Sequence, residues 1–258
     1  MRGEARIAIV TGGGGAIGSE IARGLAADGL RVAIADKNRP AAEAVTAGLP
    51  GVGHGAFDVN VVDEASVDAL FDAVWRDMGP AAVLVCVAGG LVLSGSSPPP
   101  TLRTLELDAW IGNEVLNVRS TFLCLRAYLR RWSDATVEDG RIVTIASTVG
   151  LDPAAGPNPA YSTAKSEVIA LSRAAAVEAA AIGVTVNTLA PGMIDTPLLR
   201  SRHAADVFEA TRLATPTGRL GLPRDIAAAA RFLITPGARR LTGCTIPING
   251  GAYLPLNV

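Results

Sequence analysis

Lysine is almost missing from this chain. Of its 23 basic residues only Lys37 and Lys165 are lysine, and the rest are arginine. Histidine is as scarce, with His54 and His203 alone, too few for a His-rich metal centre. The three cysteines, Cys86, Cys124 and Cys244, are widely spaced, and no pair stands at metal-ligand spacing. Each lies in an apolar run, so all three are expected to be buried, reduced thiols, and no metal site is expected. A basic excess is also absent, because the net charge is −1. A nucleic-acid or anionic-membrane partner is therefore not expected. No apolar stretch reaches the roughly 18 uninterrupted residues of a spanning helix. The opening "MRGEARIAIV" runs directly into a strand-like segment, so no signal peptide is expected and the chain reads as soluble and cytoplasmic.

What is abundant is apolar: 49% of the 258 residues are hydrophobic, enough for a large core in one domain spanning 1–258. Short apolar runs at 6–10, 31–35, 53–57, 82–88, 141–146, 184–190 and 244–248 alternate with helical patterns near 16–28, 40–48, 63–78, 105–132, 159–182 and 223–235. Most runs are β-branched and lack in-out alternation, which suits strands buried on both faces of a parallel sheet. The expected fold is α/β, a doubly wound parallel sheet of about seven strands with right-handed crossovers. The Pro/Ser-rich "SGSSPPP" (94–100) is read as a surface loop.

"VTGGGGAIGSEIARGLA" (10–26) follows the first strand and opens a helix. Glycines allow a tight turn and close backbone approach, and the free N–H groups at a helix start suit a pyrophosphate. A Gly-rich turn alone could be no more than a tight turn. Asp36, however, ends the second strand 18 residues after Gly18, near the spacing expected of an acid that binds a ribose hydroxyl. In that position it favours NAD over NADP: a 2′-phosphate about 4 Å from a carboxylate is repelled by about 4 kcal/mol at a near-surface dielectric. The side chain of Lys37 should point the other way. The loop lacks the Gly-Lys-Ser/Thr of a P-loop.

The second lysine stands in "YSTAK" (161–165). Tyr161 and Lys165 are an i, i+4 pair on one helix face. With three tyrosines and two lysines in the chain, chance gives roughly two per cent for any such pair. An exposed helix position would more readily hold arginine here. Lysine differs as a compact point charge with rotatable donors.

On these residues, together with Thr11-Gly12…Ala16-Ile17-Gly18, Asp58-Val59, Ala88-Gly89, Asn117, Ser147, Asn187, Pro191-Gly192…Thr196 and "ITPGARRLTGCTIPINGG" (234–251), the chain resembles the short-chain dehydrogenase/reductase family over nearly its whole length. The resemblance implies a Rossmann-type domain and an NAD(H)-dependent enzyme that interconverts a secondary alcohol and a ketone. It makes Tyr161 the general acid/base, with Lys165 and the positive nicotinamide of the oxidised cofactor together lowering the tyrosine pKa, and with Lys165 holding the nicotinamide ribose. Ser147 would orient the substrate oxygen, and Asn117 would position a water behind Lys165. The cofactor would lie along Gly12, Gly14, Gly15, Ala16, Ile17 and Gly18, with Asp36 at the adenosine ribose and Asp58 and Val59 at the adenine. Ala88 and Gly89 would leave room for the ribose, while Pro191, Gly192, Ile194 and Thr196 would flank the carboxamide.

Three departures stand out. Ala16 replaces the family's middle glycine. Cys86-Val87 replaces the usual Asn-Asn, with loss of its side-chain hydrogen bonds. Ser147 and Tyr161 are 14 apart where 13 is usual, the extra residue falling in 151–159. The substrate mouth is expected at 91–104 and 193–216. The second segment carries Arg200, Arg202, His203 and Arg212, read as a solvated lid more readily than as a site for an anion. The rival readings are an NADPH-dependent 3-oxoacyl-carrier-protein reductase and a non-catalytic NAD-binding regulator. The apolar breadth of the helices at 105–132 and 159–182 points to a subunit interface, and the resemblance, with the apolar tail 252–258, implies a homotetramer, with a dimer as the fallback.

Overall fold

The structure is a computed structural model that describes residues 5–93, 99–132, 139–153, 156 and 158–253. Much of 94–100, parts of 151–159 and the tail from 254 onward lie outside the described residues.

Seven strands form one all-parallel sheet: β1 (Ile7–Thr11), β2 (Arg31–Asp36), β3 (Gly55–Asp58), β4 (Ala81–Cys86), β5 (Gly140–Ile145), β6 (Val184–Pro191) and β7 (Thr245–Ile248). Their order is β3-β2-β1-β4-β5-β6-β7. The chain winds outward from β1 in one direction, then returns to β4 and winds in the other. That reversal opens a crevice at the carboxyl ends of β1 and β4.

Side chains alternate between two cores. Ile7 and Ile9 of β1 face one layer with Phe71, Leu123, Tyr128 and Val186. Ala8 and Val10 face the other with Ile21, Leu25, Ile226 and Leu233. Helices α3 (Glu64–Asp77), α5 (Ser120–Trp132) and α6 (Pro159–Ala180) cover the first face, and α1 (Ala16–Ala27), α2 (Arg39–Ala47) and α9 (Pro223–Leu233) cover the second. Every residue of β1, β4, β5 and β6 is buried, as continuous apolar runs imply. The edge strands β3 and β7 depart from this reading and are mostly half-buried.

Two further expectations change. Cys86 and Cys124 are buried, but Cys244 is only partly so, because it leads into an edge strand. The helix expected at 105–132 is two α-helical segments, α4 (Leu107–Glu114) and α5, joined by a π turn at Val115–Arg119. The segment 193–216 carries two short helices, α7 (Pro197–Arg202) and α8 (Ala205–Ala214). No helix among the described residues is long and apolar enough to cross a membrane.

Candidate active site

The loop between β1 and α1 is shaped by contacts that only glycine permits. Gly12 has φ +66°, and a Cβ there would lie 2.8 Å from the backbone nitrogen of Ala88. At Gly18 a Cβ would meet the Gly12 carbonyl oxygen at 2.2 Å. Both glycines let loop, helix and β4 exit close on one another. Gly15 caps α1 and Ala16 and Ile17 begin it, so the methyl of Ala16 is accommodated at the helix start. The Asp36 carboxylate reaches back into this loop: one oxygen accepts from Gly14 N–H at 3.0 Å and the other from Asn38 N–H at 2.9 Å. Asp58 stands beside Asp36 in the parallel register, exposed, with Val59 buried behind it. Glycine backbone, helix start and carboxylate together fit the pyrophosphate and ribose of a dinucleotide.

On the far side of the crevice, α6 starts with Asn158, whose side chain accepts from Tyr161 N–H at 3.1 Å. Pro159 follows at the first helical position, where a missing N–H costs nothing. Four residues apart on this helix, Tyr161 and Lys165 lie together, with Nζ 5.7 Å from the ring centroid. Lys165 is 4% exposed and donates to the Ile145 carbonyl at 3.0 Å. Ser147 hydrogen-bonds the Tyr161 hydroxyl and makes a long contact of 3.5 Å to the Pro191 carbonyl. The turn that carries Ser147 is stitched to α6. Ser166 donates to Gly150 O at 2.9 Å, and a Cβ on Gly150 would sit 2.6 Å from the Lys165 backbone. Thr144 links β5 to Ser172 (2.8 Å) and Thr188 (2.9 Å), fixing α6 to the sheet from below.

Burial dominates the electrostatics of this cluster. Burial pushes the Tyr161 phenol up to about 12, and the Ser147 hydrogen bond only partly opposes this. Burial also brings the Lys165 ammonium down to about 8. In the protein alone, desolvation of the phenolate outweighs what Ser147 returns, and the positive nicotinamide invoked for the depression is not part of that balance.

Asn117 sits in the π turn and is 1% exposed. Its amide exchanges two hydrogen bonds with Gly90, both 2.9 Å. One turn earlier, Asn113 does the same with Val92, at 3.1 and 2.9 Å. These two amides hold the strand exit that carries Ala88 and Gly89. A Cβ on Gly89 would lie 2.9 Å from Asn117 Oδ1 and 3.3 Å from Lys165 Nζ. Asn113 and the Asn158 cap were not singled out in the sequence, although the Asn-x-x-x-Asn spacing and the Asn-Pro pair were there to be read. Where Cys86-Val87 departs from Asn-Asn, the Cys86 thiol instead pairs with Cys124. On the remaining rim, Gly192 N–H reaches Ile248 O at 3.0 Å, just after Pro191. Ile194 is buried, and the Thr196 hydroxyl caps α7 by accepting from Leu199 N–H at 3.3 Å. Asn187 lies away from the crevice and fastens the lead-in to β7 through Leu241 O and Cys244 N–H.

A family model described as enoyl-(acyl carrier protein) reductase matches residues 14–253. The chain belongs to the short-chain dehydrogenase/reductase family. A D-threitol dehydrogenase of Mycolicibacterium smegmatis is 35% identical over 97% of this chain and 94% of its own length. A cis-4-hydroxycyclohexanecarboxylate dehydrogenase of Sinomonas cyclohexanicum is 37% identical over 95% and 96%. Among solved structures, a 3-ketoacyl-(acyl-carrier-protein) reductase of Brucella melitensis complexed with NADH superposes with a TM-score of 0.86 at 28% identity, covering 97% of this chain and 99% of that one. As a short-chain dehydrogenase/reductase, the chain is an oxidoreductase that uses a nicotinamide cofactor.

Proposed function

We propose that this short-chain dehydrogenase/reductase uses NAD(H) to interconvert a small secondary alcohol and its ketone, with Tyr161 as general acid/base. The reading rests on one cluster: the Tyr161 hydroxyl bonded to Ser147, with the Lys165 ammonium beside the same ring. The dinucleotide, when bound, would supply the hydride acceptor or donor. In oxidation the Tyr161 oxygen takes the alcohol proton, and in reduction the phenol returns it to the ketone oxygen. The Ser147 hydroxyl orients that oxygen by hydrogen bonding, Lys165 holds the ribose and stabilises the phenolate, and Asn117 positions a water in the proton relay behind Lys165. The glycine loop with Ala16 and Ile17, Asp36, Asp58, Val59, Ala88, Gly89 and the rim from Pro191 to Thr196 would hold the dinucleotide. All of this is set for proton and hydride exchange, which a regulator that only bound NAD would not need.

Asp36 supports NAD over NADP, because its carboxylate is fixed toward the glycine loop by Gly14 N–H. A neutral substrate is favoured by the lid. Arg200 is engaged by Asp195 and Arg212 by Glu209, while Arg202 reaches Leu91 O. The rival, an NADPH-dependent 3-oxoacyl-carrier-protein reductase, requires tolerance of the 2′-phosphate beside Asp36. A fluorescence titration tests this: NADH should bind at least tenfold tighter than NADPH, about 1.4 kcal/mol, and Asp36→Ala should narrow the gap. Equal affinities in the wild type would overturn the cofactor assignment. A turnover panel that includes D-threitol, cis-4-hydroxycyclohexanecarboxylate and a 3-oxoacyl thioester would separate the substrate classes.

A further inference from the structure

A second polar cavity lies at the opposite edge of the sheet, where β5 and β6 begin. It has a volume of about 260 Å³ and is lined by Asp139, Arg141, Thr185, Arg239, Arg240 and Thr242, among others. The run of β6 from Thr185 to Pro191 separates it from the crevice, about 20 Å at the rise of an extended strand.

Three features of this cavity remain unexplained by packing. Arg141 is a guanidinium 2% exposed on a sheet strand, and its Nε has no partner among the described residues. The hydroxyl of Thr185, 9% exposed, is also without one. Buried donors are nearly always satisfied, and leaving one unmet is costly. Asp139 has φ +71°, the only non-glycine residue with positive φ among those described. It is held there by Arg6, which donates to its carbonyl at 3.0 Å, and by Arg141, which donates to its carboxylate. A costly backbone held by two arginines invites a functional account.

Asp139 neutralises one guanidinium, so Arg239 and Arg240 leave the lining with a net positive charge. Among the described residues, Arg239 commits only its Nε, to Pro236 O at 3.0 Å. Thr242 accepts from Val186 N–H at 3.1 Å, and its hydroxyl proton has no acceptor among the described residues. Several N–H and O–H donors thus surround a concave space, and the one carboxylate is already paired. A tetrahedral dianion suits this array, since guanidinium forks and hydroxyls match phosphate oxygens.

We propose that this cavity is a phosphate-binding site, taking inorganic phosphate or a small phosphate monoester. Arg239 and Arg240 contact the anion at the mouth, and the Thr242 hydroxyl donates to it from behind them.

Calorimetric titration of the full chain with inorganic phosphate and with glycerol 3-phosphate, at constant ionic strength and with and without NAD⁺, tests this. Both probes should bind at submillimolar concentration; a tighter ester identifies a phosphorylated metabolite, and a tighter inorganic ion identifies free phosphate. Arg240→Ala, a change at the surface, should weaken binding at least tenfold. Arg239→Ala, also at the surface, should weaken binding by a similar factor. Absence of binding at 10 mM, as an order of magnitude for non-specific association, would overturn the proposal. So would a signal that survives Arg240→Ala and disappears with NAD⁺, because that signal belongs to the glycine loop. Full phosphate affinity in the double variant of Arg239→Ala and Arg240→Ala would also overturn it, because no mouth guanidinium would then hold the anion. These outcomes do not depend on turnover, so the cavity and the catalytic reading fail separately.

Discussion

At the scale of single residues, the strongest tension is between Lys165 and its surroundings. An ammonium brought down from 10.5 to about 8 by burial is held against its own solvation. The unfolded chain binds that proton more tightly between pH 8 and 10.5, so this group's contribution to stability is full above pH 10.5 and is lost as the pH falls through 8. At pH 7 the charge therefore costs about 3 kcal/mol, offset by about 1 kcal/mol from the bond to Ile145 O. Lys165→Met should raise the melting temperature at pH 7 by a few degrees, with the gain shrinking toward pH 10, while turnover is lost. A lower melting temperature for the variant at neutral pH would contradict this account. Tyr161 carries the chemistry in the proposed function. Tyr161→Phe should retain fold and NADH binding and lose at least 10²-fold in kcat, as measured on any substrate the wild type oxidises. Retention of activity would remove Tyr161 from the mechanism. The residue that chooses lysine over arginine was legible in the sequence because the chain uses lysine so rarely. Its burial with no counter-ion among the described residues, and the rise of the tyrosine to about 12, were not legible, because they depend on how deeply Ser147, Tyr161 and Lys165 are enclosed.

At the scale of elements, strand and helix alternation was readable from periodicity alone, and most boundaries fall within a residue or two. The break in the long helix was not. An apolar pattern over 105–132 gives no sign of a π turn, since one extra residue per turn barely disturbs periodicity over so short a stretch. What the turn does is local: it brings Asn117 under the exit of β4, one turn beyond Asn113, so that two amides pair with Gly90 and Val92. That exit would otherwise carry unpaired backbone groups next to the crevice. Asn113→Ala should leave the Val92 N–H and C=O unmet, lowering stability by about 1–3 kcal/mol. Because the same exit holds Ala88 and Gly89, NADH affinity should fall severalfold, with kcat changing less than KM for the cofactor. Thermal melting and cofactor titration check both effects. An unchanged affinity would mean that Asn117 alone holds the segment. The Thr144–Ser172–Thr188 contact is another feature hidden from pattern reading, because hydroxyls spread along three elements look like ordinary strand and helix residues until the sheet brings them together.

At the scale of the whole molecule, the apolar surface left over from the fold argues for assembly. The breadth of the apolar set on 105–132 pointed to a subunit contact, and the structure divides that set in two. Leu123 and Leu125 are buried in the chain, while Ile111 and Phe122 remain 44% and 41% exposed. Leu107 on α4 and Val177 on α6 are more exposed still, at 69% and 81%. α4 and α6 pack against each other, so these side chains extend over neighbouring parts of one face. Small residues on the outer side of α6, such as Ala170 and Ala174, are exposed as well and would let a partner helix approach closely. We therefore propose that two copies pair through this face about a two-fold axis, the usual closure of a soluble homo-oligomer, and that a second contact near β7 completes a homotetramer. Light scattering during size exclusion at micromolar concentration should give the tetramer mass, with the dimer as the intermediate on dilution. Phe122→Glu should shift the distribution toward smaller species, because a partly exposed ring can be replaced without loss of core packing, whereas a carboxylate buried between two copies without a partner costs several kcal/mol. A single monomer mass for the wild type would mean that this face stays in water, and an unchanged mass for Phe122→Glu would move the interface elsewhere.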